Sequence, residues 1–241
     1  MDEIVDKSSD SPLFVFIDPF GFSGIKFEIL KKIMQISHSE IIINFMYNSI
    51  NRFLGHKCLS DTFTSLYGNN FWKDCIHKKG RDREYCIVSN FRLNLKSISK
   101  FVYYYRMSFE DKKRTYYYLI HLSNHHKGCS IMKSSFAKYN LGRVEYKGLT
   151  ENQLEIFENP DVKIKNAIEY LNNKYKGSEV SFEEIVEDSI DETPFLESDL
   201  RNAIKNMEGI FLKVDRLLKN TKTGKSKKSI EYKDTIIFND N

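Results

Sequence analysis

Cysteine is scarce in this chain. There are four, at positions 58, 75, 86 and 129, and no two stand at the two-residue spacing of a zinc knuckle or redox motif. No cysteine-built metal site is expected, and the pattern is that of free thiols in a reducing compartment. Long apolar runs are also lacking. None approaches the roughly 20 residues that span a bilayer, and residues 1–12 are acidic and polar, without the apolar segment of a secretory signal. The expectation is a soluble, cytoplasmic protein with no membrane partner. Excess charge is small as well: 37 basic residues against 33 acidic ones leave +4. Any basic footprint for nucleic acid must therefore be local. What the chain does have is apolar and aromatic matter, 41% and 14% of its 241 residues. That is enough to fold, around one large core or two smaller ones.

No internal repeat is evident, but the composition shifts near residue 160, where "ENPD" marks a turn and Pro160 interrupts helix. The chain divides into a polar tail at 1–12, an α/β region at 13–155 and a second region at 160–241. In the first, Leu13–Asp18 reads as a strand buried on both faces and Phe27–Ile36 as a helix. Glu40–Phe45 is a second buried strand, and Ser49–Leu54 starts a helix. "LSDTFTSLYGNNFWKDCI" is more helix with a break at "GNN". The aromatic runs "KFVYYYRMSF" and "RTYYYLIHLSN" form an antiparallel pair joined by "EDKK", and "SSFAKYN" is a final short helix. The second region opens with a helix at Lys163–Tyr175. Ser181 and Glu184 make a capping-box signature for the next, and "FLESDLRNAIKNMEG" is a third, ending at Gly209. Two strands, "IFLKVDRLL" and "IEYKDTIIF", follow around a basic tip. Three helices and a two-stranded wing are the pattern of a winged helix-turn-helix.

The chemistry-bearing stretch is "LFVFIDPFGFSG". A strand ending in Asp-Pro-aromatic sets the carboxylate at the carboxyl edge of a parallel sheet, where open α/β folds bind ligands. Amino-methyltransferases carry an Asp/Asn-Pro-Pro-aromatic loop there. Its carboxylate and a proline-fixed carbonyl accept hydrogen bonds from a target amine, and its ring stacks on the base; the catalysis is largely orientation. On that reading Asp18 is the acceptor, Phe20 or Phe22 the stacking surface, and Pro19 fixes the loop. The plainer reading is a strand-end turn, with Asp18 as a cap and the aromatics in the core. Asn44 ends the second strand, and Asn48 and Arg52 share a helical face. All three suit a phosphate or base, while Asn48 or Ser49 also suits an N-cap and Arg52 a surface ion pair. The adjacent His125 and His126, read at a strand end, point to opposite faces and share no metal.

"FIDPFGFSGIKFEIL" and "EIIINFMYNSINRFLG" together resemble the three-Cys-motif partner (TcmP) family. The likeness runs through Asp18–Gly24 and Ile43–Phe53, resumes at 117–136, and extends to the C-terminal region. It implies a methyltransferase-like fold, a bacterial or phage setting and a partner resembling a radical enzyme. It also implies an upstream segment whose glycine-rich turn holds S-adenosylmethionine. No such turn precedes Asp18 here. The fold expected is thus the second half of a Rossmann-like methyltransferase sheet, strands four to seven with an antiparallel last strand, followed by the winged helix. S-adenosylmethionine would bind only where a partner completes the site. The Leu13–Asp18 strand would present a free edge, calling for a second copy, a separate chain carrying the absent half, or the N-terminal tail.

The basic tip "KNTKTGKSKK" holds five lysines in ten residues. Lys222, Lys225, Lys227 and Lys228 there, with Arg201 and Lys205 on the third helix, are the candidates for nucleic acid. Glu197, Asp199 and Glu208 offset the helix, so protein docking is an equal alternative. Two functions follow: a methyltransferase-like subunit acting on or near nucleic acid within an assembly, or an inactive adaptor in a defence-type system.

Overall fold

A computed structural model describes residues 11–109, 114–138, 144–145, 160–217 and 229–240. The chain is mixed α/β and divides into two compact units, Met1–Gln153 and Leu154–Asn241.

The first unit is built on β1 (Leu13–Ile17), β2 (Ser39–Phe45), β3 (Phe101–Phe109), β4 (Arg114–Ser123) and the short β5 (Val144–Glu145), in sheet order β1-β2-β4-β3-β5. β1 and β2 run parallel, Leu13 beside Ser39 through Ile17 beside Ile43, and β4 runs antiparallel to both β2 and β3. β-branched and aromatic residues favour these strands because they fill a pleated, half-buried surface. Alternation assigns the faces. Ile41, Ile43 and Phe45 of β2 join Tyr118, Ile120 and Leu122 of β4 and Val102 and Tyr104 of β3 in one core. Helices α1 (Phe27–Met34), α2 (Tyr47–Phe53), α3 (Ser60–Tyr67) and α4 (Gly80–Lys96) contribute to it. On the other face α5 (His126–Lys138) lies over β3 and β4, with Phe136 stacked on Tyr105 at 3.8 Å.

Several expectations change here. α4, seventeen residues long, carries no clean apolar stripe, because much of its inward side is polar and internally bonded. Arg83 donates to the carbonyls of Ile76 (2.7 Å) and Asn51 (3.1 Å), and Arg92 to that of Val102 (3.0 Å). The break after α3 is real. Gly68 sits at φ +73°, and a Cβ there would meet the Phe27 ring at 2.5 Å. α2 begins at Tyr47 behind Met46 with no side-chain cap, so neither Asn48 nor Ser49 caps it. His126 is the first residue of α5 rather than part of a strand end. Cys75 and Cys86 are not free thiols: they form a disulfide linking the 3-10 turn Phe71–Cys75 to the second turn of α4. Cys58 and Cys129 remain free.

The second unit orders α6 (Pro160–Tyr175), β6 (Glu179–Ser181), α7 (Phe182–Ser189), α8 (Glu197–Met207), β7 (Leu212–Asp215) and β8 (Thr235–Phe238). Its sheet runs β6-β8-β7, antiparallel throughout. Pro160 opens α6 instead of breaking it; at a first helical turn the absent N–H costs nothing. The capping box forms: Ser181 Oγ accepts from the Glu184 amide (3.2 Å), and the Glu184 carboxylate accepts from the Ser181 amide (2.7 Å). β6 is a third strand beyond the two expected. Among the described residues no helix is long and apolar enough to cross a membrane.

Candidate functional site at the carboxyl ends of the first two strands

Because β1 and β2 are parallel and in register, their carboxyl ends lie side by side. The residue after Ile17 is Asp18, and the residue after Ile43 is Asn44. Asn44 Nδ2 donates to Asp18 Oδ1 at 2.7 Å. That bond fixes the amide orientation, since the reverse would set two acceptors against each other. Asn44 Oδ1 is shielded from solvent and has no hydrogen-bond partner among the described residues. Such a stranded acceptor is rare and costs roughly 1–3 kcal/mol. Asp18 itself is exposed.

The loop then turns through Gly21 at φ +92°, a conformation that favours glycine. The turn parts the two phenylalanines. Phe20 is fully exposed. Phe22 is only 8% exposed and stacks on Phe63 at 4.7 Å, with Phe53 at 6.2 Å. Of the two proposed stacking surfaces, Phe22 is spent on the core and Phe20 alone is presented. Pro19 is half-buried. Tyr117 on β4 was not foreseen. Burial raises the pKa of its phenol, and the nearby negative charge of Asp18 raises it further. The site is therefore rich in acceptors and edged by aromatics, a setting for N–H donors on a flat ring. Asn48 is half-buried on α2. Arg52 is exposed, its guanidinium 5.9 Å from the Phe53 ring centroid.

A second polar cluster lies at the other end of β2. Glu40 Oε2 and His121 Nε2 are 3.1 Å apart, and Ser123 Oγ donates to Glu40 Oε1 at 3.4 Å. A Cβ on Gly128 in α5 would fall 1.9 Å from that carboxylate, so glycine is what admits it. The hydrogen bond from His121 holds the Glu40 carboxyl below its ordinary range, against the opposing effect of burial. The acid stands between the histidine and the serine. Ser123 therefore has no imidazole base here, and nucleophilic catalysis is not set up. Among the described residues no group of three or more His, Cys, Asp and Glu side chains is disposed to hold a metal ion.

In the second unit Arg201 is turned inward. It pairs with Glu197, donates to the Ile230 carbonyl and lies over Phe182 at 4.3 Å and Tyr232 at 5.4 Å. Tyr232 in turn donates to Glu197 (2.9 Å). The expectation that Arg201 reaches a phosphate is corrected: the residue ties α8 to the strand region behind it. Lys205 is exposed, and the exposed stripe of α8 is completed by Ser198, Asn202 and Asn206. Only their small polar character signals them in the sequence. Lys222, Lys225, Lys227 and Lys228 lie outside the described residues.

No family model, no curated protein and no solved structure matches this chain.

Proposed function

We propose that the chain is a methyltransferase-like subunit that presents the amine-accepting side of a split site to nucleic acid. The observation that carries the reading is the Asp18–Asn44 pair at adjacent strand ends, with Phe20 fully exposed beside it. Strand order supports it. In a methyltransferase-like half-sheet the last strand inserts between its predecessors and runs against them, and β4 does both. The α6-β6-α7-α8-β7-β8 order, with β8 between β6 and β7, supports a winged helix in the same way.

The described residues do not fit S-adenosylmethionine on their own. The loop after β1 bears an acidic acceptor and an outward phenylalanine, not a glycine-rich cradle. Donor binding belongs to whatever chain completes the site. This chain's own part is to accept the N–H groups of an exocyclic amine at Asp18 and to stack the ring on Phe20. The test is calorimetry with short single strands carrying adenine or cytosine, against strands in which hypoxanthine or uracil replaces the amine by a carbonyl. The amine-bearing strands should bind more tightly. Asp18→Ala should cost them tenfold or more, the usual worth of hydrogen bonds to a charged group. Equal affinity for both kinds of strand would remove the basis for the reading.

Arg201 favours a second reading, that of an inactive adaptor. With its guanidinium committed inside the unit, α8 offers a nearly neutral polar stripe. Such a stripe suits a protein partner as well as it suits a nucleic acid groove.

A further inference from the structure

We infer that the free edge of β1, with the bare face that carries Phe14 and Phe16, docks a different chain. That chain is an α/β unit that adds a strand parallel to β1 and lays an amphipathic helix across the two phenylalanines. The inference rests on the split-site reading and names the kind of partner that completes it.

β1 ends the sheet, and among the described residues it pairs only with β2. The strand is uncharged, and Pro12 and Pro19 bracket it, so a new ladder is confined to the residues between them. Leu13, Val15 and Ile17 face the core. Phe14 and Phe16 face the other way, and each is 57% exposed beside the half-buried Ile42. At about 200 Å² per phenylalanine these two rings expose roughly 230 Å², and Phe20 adds about as much again, an area of the size that marks interaction surfaces. A strand apolar on both faces calls for cover on both faces as well as pairing at both edges.

A second copy does not meet that need. Leu-Phe-Val-Phe-Ile reads nearly the same in either direction about Val15, so two copies can pair antiparallel with Phe14 opposite Phe16. The two-fold axis then stands normal to the sheet, and both bare faces end up on the same side. The edge is closed, but the aromatic patches merge without a layer over them. Such a copy also sets Pro12, at a strand's amino end, across from Asp18. A parallel strand does the opposite. It brings its carboxyl end, and the loop that follows, beside Asp18 and Asn44. The tail of this chain is a poor cover too, because residues 2, 3, 6 and 10 are all acidic.

The experiment replaces Phe14 by photoreactive p-benzoylphenylalanine in the full chain. The variant is expressed in the native host and irradiated, and the cross-linked peptides are sequenced by mass spectrometry. The expected peptide comes from another chain and lies in an apolar-striped helix adjoining an apolar strand. A cross-link to this chain's own β1, to its residues 1–12, or to a segment of another kind overturns the inference, and so does no cross-link. Phe14→Glu/Phe16→Glu alters exposed positions only. It should melt within about 2 °C of the parent and abolish the cross-linked partner's co-purification; a partner retained by this variant is equally fatal. A cross-link to β1 would leave the amine-acceptor reading intact, because base binding by the chain alone tests that separately.

Discussion

At the scale of single residues, burial separates side chains that look equivalent in the sequence. Phe20 and Phe22 are two positions apart in one loop, yet one faces solvent and the other stacks in the core. Phe22→Ala should destabilise the first unit by about 3 kcal/mol, while Phe20→Ala should leave stability within about 0.5 kcal/mol. Denaturant titration of the two variants measures both. The same lesson holds for Arg201, which resembles a phosphate contact by type and serves as an internal tie by position. Asp18 was legible as a candidate because Asp-Pro-aromatic at a strand end is a specific signal. Its bond to Asn44 was not, since that depends on parallel register between residues 26 apart. Tyr117 lacked any signal, being one of three consecutive tyrosines in a strand.

At the scale of elements, local patterns were readable where one physical cause dominates. The Ser181–Glu184 box, the Gly68 stop and the aromatic hairpin are of that kind. α4 hid because buried arginines and Glu84 replace the apolar residues that periodicity detects; Glu84 accepts from Arg106 (3.0 Å) and Tyr118 (2.6 Å). β6 hid because it is three residues long. The disulfide hid because an eleven-residue separation says nothing until the 3-10 turn packs on α4. Reduction, or Cys75→Ser/Cys86→Ser, should cost roughly 2–3 kcal/mol, as expected for closing a loop of that size. A thermal melt with and without reductant reads it. Glu40 ties β2 to β4 and to the start of α5. Its carboxyl is held low in the folded state, so its contribution is present above the ordinary glutamate range and is lost as pH falls through the lowered value. Glu40→Gln should therefore destabilise at neutral pH by on the order of 1 kcal/mol, and the gap to the parent should close on acidification. Urea unfolding across pH 3–7 would show it.

At the scale of the whole molecule, the chain's net charge of +4 spreads over two units that each have their own core. Neither charge nor composition pointed to a single function. What marks the chain is an acceptor pair at the end of a strand whose outer edge and one face are bare. The central claim, that this end of the sheet takes an amine-bearing base, is tested most directly by one titration. A single strand containing adenine and its hypoxanthine counterpart are each added to the chain and to Asp18→Ala. The account predicts that adenine binds at least tenfold tighter to the parent and that the preference vanishes in the variant. Equal binding of the two strands, or a preference that survives the loss of Asp18, would contradict it.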